Sequence, residues 1–187
     1  MKILVNDKEN LIIINKSKFI GIVKKIMSKE EAEEILKNIK KEYSDATHVC
    51  YAYTLPNTSK YSDDNEPIGT AGIPMLELLK KNDLTYTLAV VIRYFGGIKL
   101  GSNGLIRAYT KAIKELINDN IKDIETGYLI EINEEYSKSS LIDYLLKDET
   151  IISKEYKDKI IIKVIVKKKT LDNLSNVNYK IISKQFI

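Results

Sequence analysis

One cysteine, one histidine, three prolines and no tryptophan are found among 187 residues. The lone cysteine, Cys50, rules out an internal disulfide and fits a reducing cytoplasm. No apolar run approaches the ~18 residues of a membrane span, and the opening MKILVNDKEN holds no apolar core of signal-peptide length. A large excess of one charge is also missing. The formal net charge is +4, with 19 Lys and Arg against 17 Asp and Glu in residues 1–127, and 11 against 9 in the remainder. A protein that holds nucleic acid by charge alone usually carries more, which leaves a local basic patch as the remaining option. Internal repeats and low-complexity linkers are absent too. What is abundant is Ile, Lys, Asn and Tyr, the bias of AT-rich coding sequence, so a single Lys or Asn carries little weight. Hydrophobic content of 44% and charged content of 30% make an ordinary globular balance, with length for one large domain or two small ones.

The apolar pattern predicts strands over residues 1–5, 11–15 and 18–26, then a helix running to Tyr43. Ser28 and Glu31 form a capping box at its start. A strand follows over His48–Leu55, then a long loop over 56–72, then a short helix with Pro74 in its first turn. Residues 84–94 read as a buried strand, and residues 105–118 as a helix. The segment 121–127 reads as a joint. Beyond it come strand 128–133, helix 137–147, strands 151–156 and 159–168, helix 171–177 and strand 180–186. The expected fold class is α+β in two domains: βββαβαβα over 1–125, and βαββαβ, the ferredoxin-like order, over 126–187.

Two loops carry the residues suited to chemistry. The stretch VVIRYFGGIKLGSNGLIRAYTKA, residues 90–112, places Gly96, Gly97, Gly101 and Gly104 within nine residues, directly before a helix. Such a turn exposes backbone amides at a partly positive helix end, which suits phosphate or a nucleic-acid backbone, with Arg93, Lys99 and Arg107 adding charge and Ser102 and Asn103 adding polar groups. The alternatives are a positive φ or a close backbone approach, or a protein-docking surface. The P-loop and dinucleotide templates both fail, so no nucleotide cofactor is expected. The other loop, SDDNEPIGTAG, holds Asp63, Asp64, Glu66, Gly69 and Thr70. Its carboxylates either assemble part of a hard-cation site or, as favoured here, cap loop amides and pair with Arg93, Lys99 or Arg107. If strands 48–55 and 84–94 run parallel, both loops leave the sheet at one edge and face each other. His48 and Cys50 share a strand face, but their spacing is long for a catalytic dyad. Tyr51 and Tyr53 point the opposite way, as packing or as an aromatic surface.

The segments ATHVCYAY (46–53), SDDNEPIGTAGIPML (62–76), VIRYFGGIKLGSNGLIRAY (91–109) and KSKFIG (16–21) together resemble the IMPACT/YigZ family in its bacterial two-domain form. The family's acidic loop usually reads D-D-G-E-P-S-G-T-A-G. Here Asn65 and Ile68 replace Gly and Ser, which puts in doubt any side-chain oxygen at 68. The later loop usually reads G-A-G-G-L, with Ser102 and Asn103 here. Asn tolerates positive φ, so Asn65 and Asn103 are compatible with the same loop shapes. The resemblance implies a first domain like the second domain of a small-subunit ribosomal protein, also used by small-molecule kinases, with a left-handed crossover. It implies a last domain like that of elongation factor G. Eukaryotic relatives regulate translation by competing for a scaffold protein that activates an initiation-factor kinase. No catalytic residue and no metal ligand is carried over. The expectation is a cytoplasmic, non-enzymatic translation-associated regulator that binds RNA, the ribosome or a translation factor, without a membrane. The alternatives are an enzyme acting on a phosphorylated small molecule and a protein-interaction module.

Overall fold

In the structure, a computed structural model that describes residues 1–187, the chain divides into two units, Met1–Asp123 and Ile124–Ile187. The first contains, in chain order, β1 (Lys2–Leu4), β2 (Lys8–Ile14), β3 (Ser17–Lys25), α1 (Lys29–Glu42), β4 (His48–Leu55), β5 (Thr58–Ser62), α2 (Gly72–Lys81), β6 (Thr87–Tyr94), α3 (Gly101–Ile117) and β7 (Ile121–Asp123). Five of its strands form one sheet in the order β2-β3-β6-β4-β5, and every neighbouring pair is antiparallel. β1 and β7 pair separately, so part of the expected joint is a strand.

β6 lies at the centre of the sheet, and its residues Thr87–Arg93 are buried on both faces. Strand alternation sends Ala89 and Val91 to one side, where they meet Met75 and Leu79 of α2 and Ala108 and Ile113 of α3. Leu88, Val90 and Ile92 face the other way, onto Leu36 and Ile39 of α1. The sheet is therefore sandwiched, with α1 on one face and α2 and α3 on the other. Tyr53 is buried in the α1 layer and Tyr51 packs at its edge, which makes both packing residues.

Two expectations need correction. β4 and β6 run antiparallel, not parallel. The loop after β4 also contains a further strand, β5, reached by a two-residue turn at Pro56 and Asn57. β5 escapes the hydrophobic pattern because its sequence, TSKYS, is polar and sits at the exposed sheet edge. The two corrections act together. β5 and β6 are both antiparallel to β4, so they share one direction, and the acidic and glycine-rich loops that follow them leave the sheet at the same end.

Helix ends follow local chemistry. Ser28 Oγ accepts the Glu31 amide, and the Glu31 carboxylate accepts the amide of Met27 at 2.6 Å, one residue before the usual partner of a capping box. α3 begins at Gly101, four residues ahead of the expected start, so residues 101–104 form its first turn.

The second unit runs β8 (Thr126–Glu134), α4 (Ser139–Leu145), β9 (Thr150–Tyr156), β10 (Ile160–Lys167), α5 (Lys168–Asn173) and β11 (Tyr179–Phe186), the βαββαβ order. Its antiparallel sheet, β11-β8-β10-β9, buries Ile130, Ile132, Ile162 and Val164 against Ile142 of α4 and Leu174, just beyond α5. No helix of either unit is long and apolar enough to cross a membrane.

Replacing Ser28 by Ala removes the α1 cap and should cost about 1 kcal/mol. Urea denaturation checks this as a lowered midpoint at unchanged slope.

Candidate functional site

The rim where β5 and β6 end is organised by carboxylates turned inward. Glu66, 6% exposed, accepts from Arg93 Nη1 at 2.6 Å and from the Tyr109 hydroxyl at 2.7 Å, both on Oε1. The same oxygen lies 3.8 Å from His48 Nε2. His48 Nδ1 donates to the Asp64 carbonyl at 2.8 Å, because a carbonyl can only accept. Asp63 accepts three backbone amides, from Gly69, Ala71 and Gly72. Asp64 accepts the Val49 amide at 2.7 Å and lies 3.4 Å from Lys40 Nζ. The three carboxylates thus cap loop amides and hold Arg93, Tyr109 and Val49. Thr70 turns inward as well, donating its hydroxyl to the Pro67 carbonyl. Asp64 and Asn65 take φ of 43° and 67°, so Asn65 does occupy a left-handed position that glycine usually fills.

Cys50 belongs to the same interior. Its thiol lies 3.0 Å from the Asp63 carbonyl and 3.5 Å from the Tyr109 oxygen. Burial pushes it up to about 12, against a smaller downward pull from the Tyr109 hydroxyl and with the nearby carboxylates adding to the rise. Burial also raises the Tyr109 phenol well above its ordinary value, with Cys50 and Glu66 contributing. A thiol so placed is not ionised near neutral pH and is no nucleophile.

The glycines have two kinds of work. A Cβ on Gly96 would sit 2.0 Å from the carbonyl carbon of Lys16, so only glycine lets this segment lie on the β2–β3 turn. The Gly96 amide donates there to Ser17 Oγ at 3.1 Å. Gly101 takes φ of +70° with open space around it, which turns the chain into α3. Asn103, in contrast, is not among the residues with positive φ. The first turn of α3 has no side-chain cap.

Beside that turn is a cleft of about 340 Å³, lined by Glu66, Arg93, Phe95, Lys99, Gly101 and Ser102 among others. It brings Glu66, one of the five acidic-loop candidates, together with four of the expected binding residues. Asp63, Asp64, Gly69, Thr70, Gly96, Gly97, Asn103, Gly104 and Arg107 lie outside its lining. Arg107 is exposed on α3. Arg93 is 5% exposed and its guanidinium carbon lies 5.4 Å from the ring centroids of both Phe19 and Phe95. Its Nε has no hydrogen-bond partner. Phe95 is the aromatic lining residue that sequence reasoning missed, along with the apolar Pro67, Leu100 and Leu105. An aromatic residue directly after a buried strand, at the mouth of a glycine loop, is the signal that marks it.

Asp63→Asn puts an amide NH2 among the three backbone donors and should cost about 2 kcal/mol. Limited proteolysis should then cut between residues 62 and 72 before global unfolding. Cys50 should resist iodoacetamide at pH 8 in the folded protein and react promptly in urea; equal rates would contradict its burial.

The family model of the Impact N-terminal domain matches residues 15–117. IMPACT family member YvyE of Bacillus subtilis (strain 168) is 42% identical over 151 residues, 79% of this chain and 70% of its own. IMPACT family member YigZ of Escherichia coli (strain K12) is 35% identical over 162 residues, 81% and 78% of the two chains. A crystal structure of a hypothetical protein aligns over 97% of this chain and 96% of that one, with 28% identity and a TM-score of 0.63. Through its first unit by the family model, and through most of its length by pairwise identity, the chain belongs to the IMPACT family.

Proposed function

We propose that the chain is a non-enzymatic, translation-associated binding protein that holds phosphate-rich RNA, free or on the ribosome, at the surface around the start of α3. The observation that carries the reading is the uncapped first turn of α3 opening beside exposed Lys99 on the cleft. Amides at such a turn, with a neighbouring ammonium group, suit a phosphate oxygen. The inward carboxylates support it further, because they are paired or capping and compete less with an anion. Binding rather than catalysis is supported by the engagement of Glu66 and by the un-ionised, buried Cys50. The family resemblance to translational regulators supports the biological setting.

Ile68 favours a second reading. It is 95% exposed at the tip of the acidic loop and suits a protein-interaction module. Nuclease treatment of material purified from native extract separates the two, since a protein complex survives it.

In filter binding with short single-stranded RNA over a salt series, the Lys99→Ala/Arg107→Ala pair should weaken binding and reduce the logarithmic salt slope by about 1.4 for two lost phosphate contacts. Absence of binding near physiological salt, or indifference to the pair, rejects the RNA reading.

A further inference from the structure

The phosphate surface accounts for Lys99 and the start of α3 but gives Phe95 no task. Phe95 is 46% exposed directly after the central strand, where a ring gives up much of the stabilisation of burial. Its place explains the exposure. Arg93 points to the α2 and α3 side of the sheet and Tyr94 to the α1 side, so the next residue stands at the sheet's end, where the two faces meet.

Phe95 therefore lines two clefts. One is the cleft beside α3, with Lys99. The other, about 530 Å³, is lined by Lys16, Lys18, Tyr94 and Asp45 among others. Lys16 is brought there by the close contact of the β2–β3 turn with Gly96, and Lys18 by its register opposite Tyr94. All three lysines are exposed, and none makes an ion pair. The carboxylate of the second cleft, Asp45, accepts the Tyr94 hydroxyl at 2.8 Å, and that of the first, Glu66, is held by Arg93.

A half-exposed ring with unpaired ammonium groups on either side suits single-stranded nucleic acid, in which phosphates follow the charges and an unpaired base stacks on the ring. A duplex keeps its bases inside, out of reach of the ring. Protein interfaces are depleted in lysine at their centres, which makes this strip a poor protein contact.

We propose that Phe95 is a stacking platform for an unpaired base of single-stranded RNA, whose backbone runs from Lys99 and the start of α3 across the ridge to Lys16 and Lys18. The inference rests on the RNA reading above and narrows it to the strand type and to a second run of phosphate contacts. Every base has a π-face to stack on the ring, so the platform is tolerant of sequence.

The test is fluorescence anisotropy on the full chain with three short probes: an intact single strand, its duplex, and a strand of equal phosphate number with abasic sites. The intact strand should bind best, with the abasic strand about tenfold weaker. Phe95→Ala should lose about tenfold on the intact strand and erase its advantage over the abasic one, while Phe95→Tyr retains it. Lys16→Ala/Lys18→Ala should lower the salt slope by about 1.4. The abasic comparison uses the unaltered protein, so an unstable variant does not compromise the test. Equal binding of intact, abasic and duplex probes, with Lys99→Ala still weakening all three, overturns the platform and leaves the RNA reading standing. Binding of none of the probes overturns both.

Discussion

The buried ion pair of Glu66 and Arg93 is the constraint on which the rim of the first unit depends. Glu66 comes from the acidic loop, Arg93 from the central strand, and Tyr109, which shares the same carboxylate oxygen, from α3. Three segments distant in sequence are joined at one atom. Removing two charges from water costs several kcal/mol per ion, repaid only by close, well-satisfied geometry, and removal of one partner leaves the other charge stranded. The pair therefore acts more as a specifier of arrangement than as a source of net stability. Asp63, with its three amides, then fixes the rest of the acidic loop around Glu66.

This inward use of negative charge shapes what faces water. A chain of net charge only +4 acquires a local basic surface because the loop's carboxylates are spent inside while Lys16, Lys18, Lys99 and Arg107 stay exposed. The glycine segment completes the effect. Gly96 lets the backbone rest on the β2–β3 turn, which carries Lys16 alongside Phe95, and Gly101 turns the chain into an uncapped helix. In the proposed RNA complex, a rim held by these internal contacts lowers the ordering cost of binding.

Much of this was legible in the residues, and the exceptions have physical causes. The strongly periodic elements, such as the α1 helix and the buried β6 strand, declare themselves through apolar spacing. The convergence of the two loops rests not on a β4 parallel to β6 but on β5, which lies beyond β4 in the sheet and runs in the same direction as β6. β5 stays hidden because an exposed edge strand has little apolar pattern to show. The expectation that carboxylates cap amides and pair with Arg93 is met, but which carboxylate meets Arg93 depends on the loop's turn geometry. The early start of α3 is hidden because glycine and asparagine are poor helix formers, and Gly101-Ser-Asn-Gly104 reads as a loop. Lys16, Lys18 and Phe95 come together only through the contact of Lys16 with Gly96 and the register of Lys18 with Tyr94, long-range pairings that local apolar periodicity does not encode. The 42% identity with a relative fixes the family, and the rim's chemistry comes from the side chains themselves.

The most direct measurement of the central claim is a double-mutant cycle on the buried pair, Glu66→Leu and Arg93→Met, read by chemical denaturation. Each single change should cost about 3–5 kcal/mol, because it strands a buried charge. The double change should cost far less than the sum, with a coupling energy of about 2 kcal/mol or more. Additive costs would show that Glu66 and Arg93 act independently, and the account of the rim would fail.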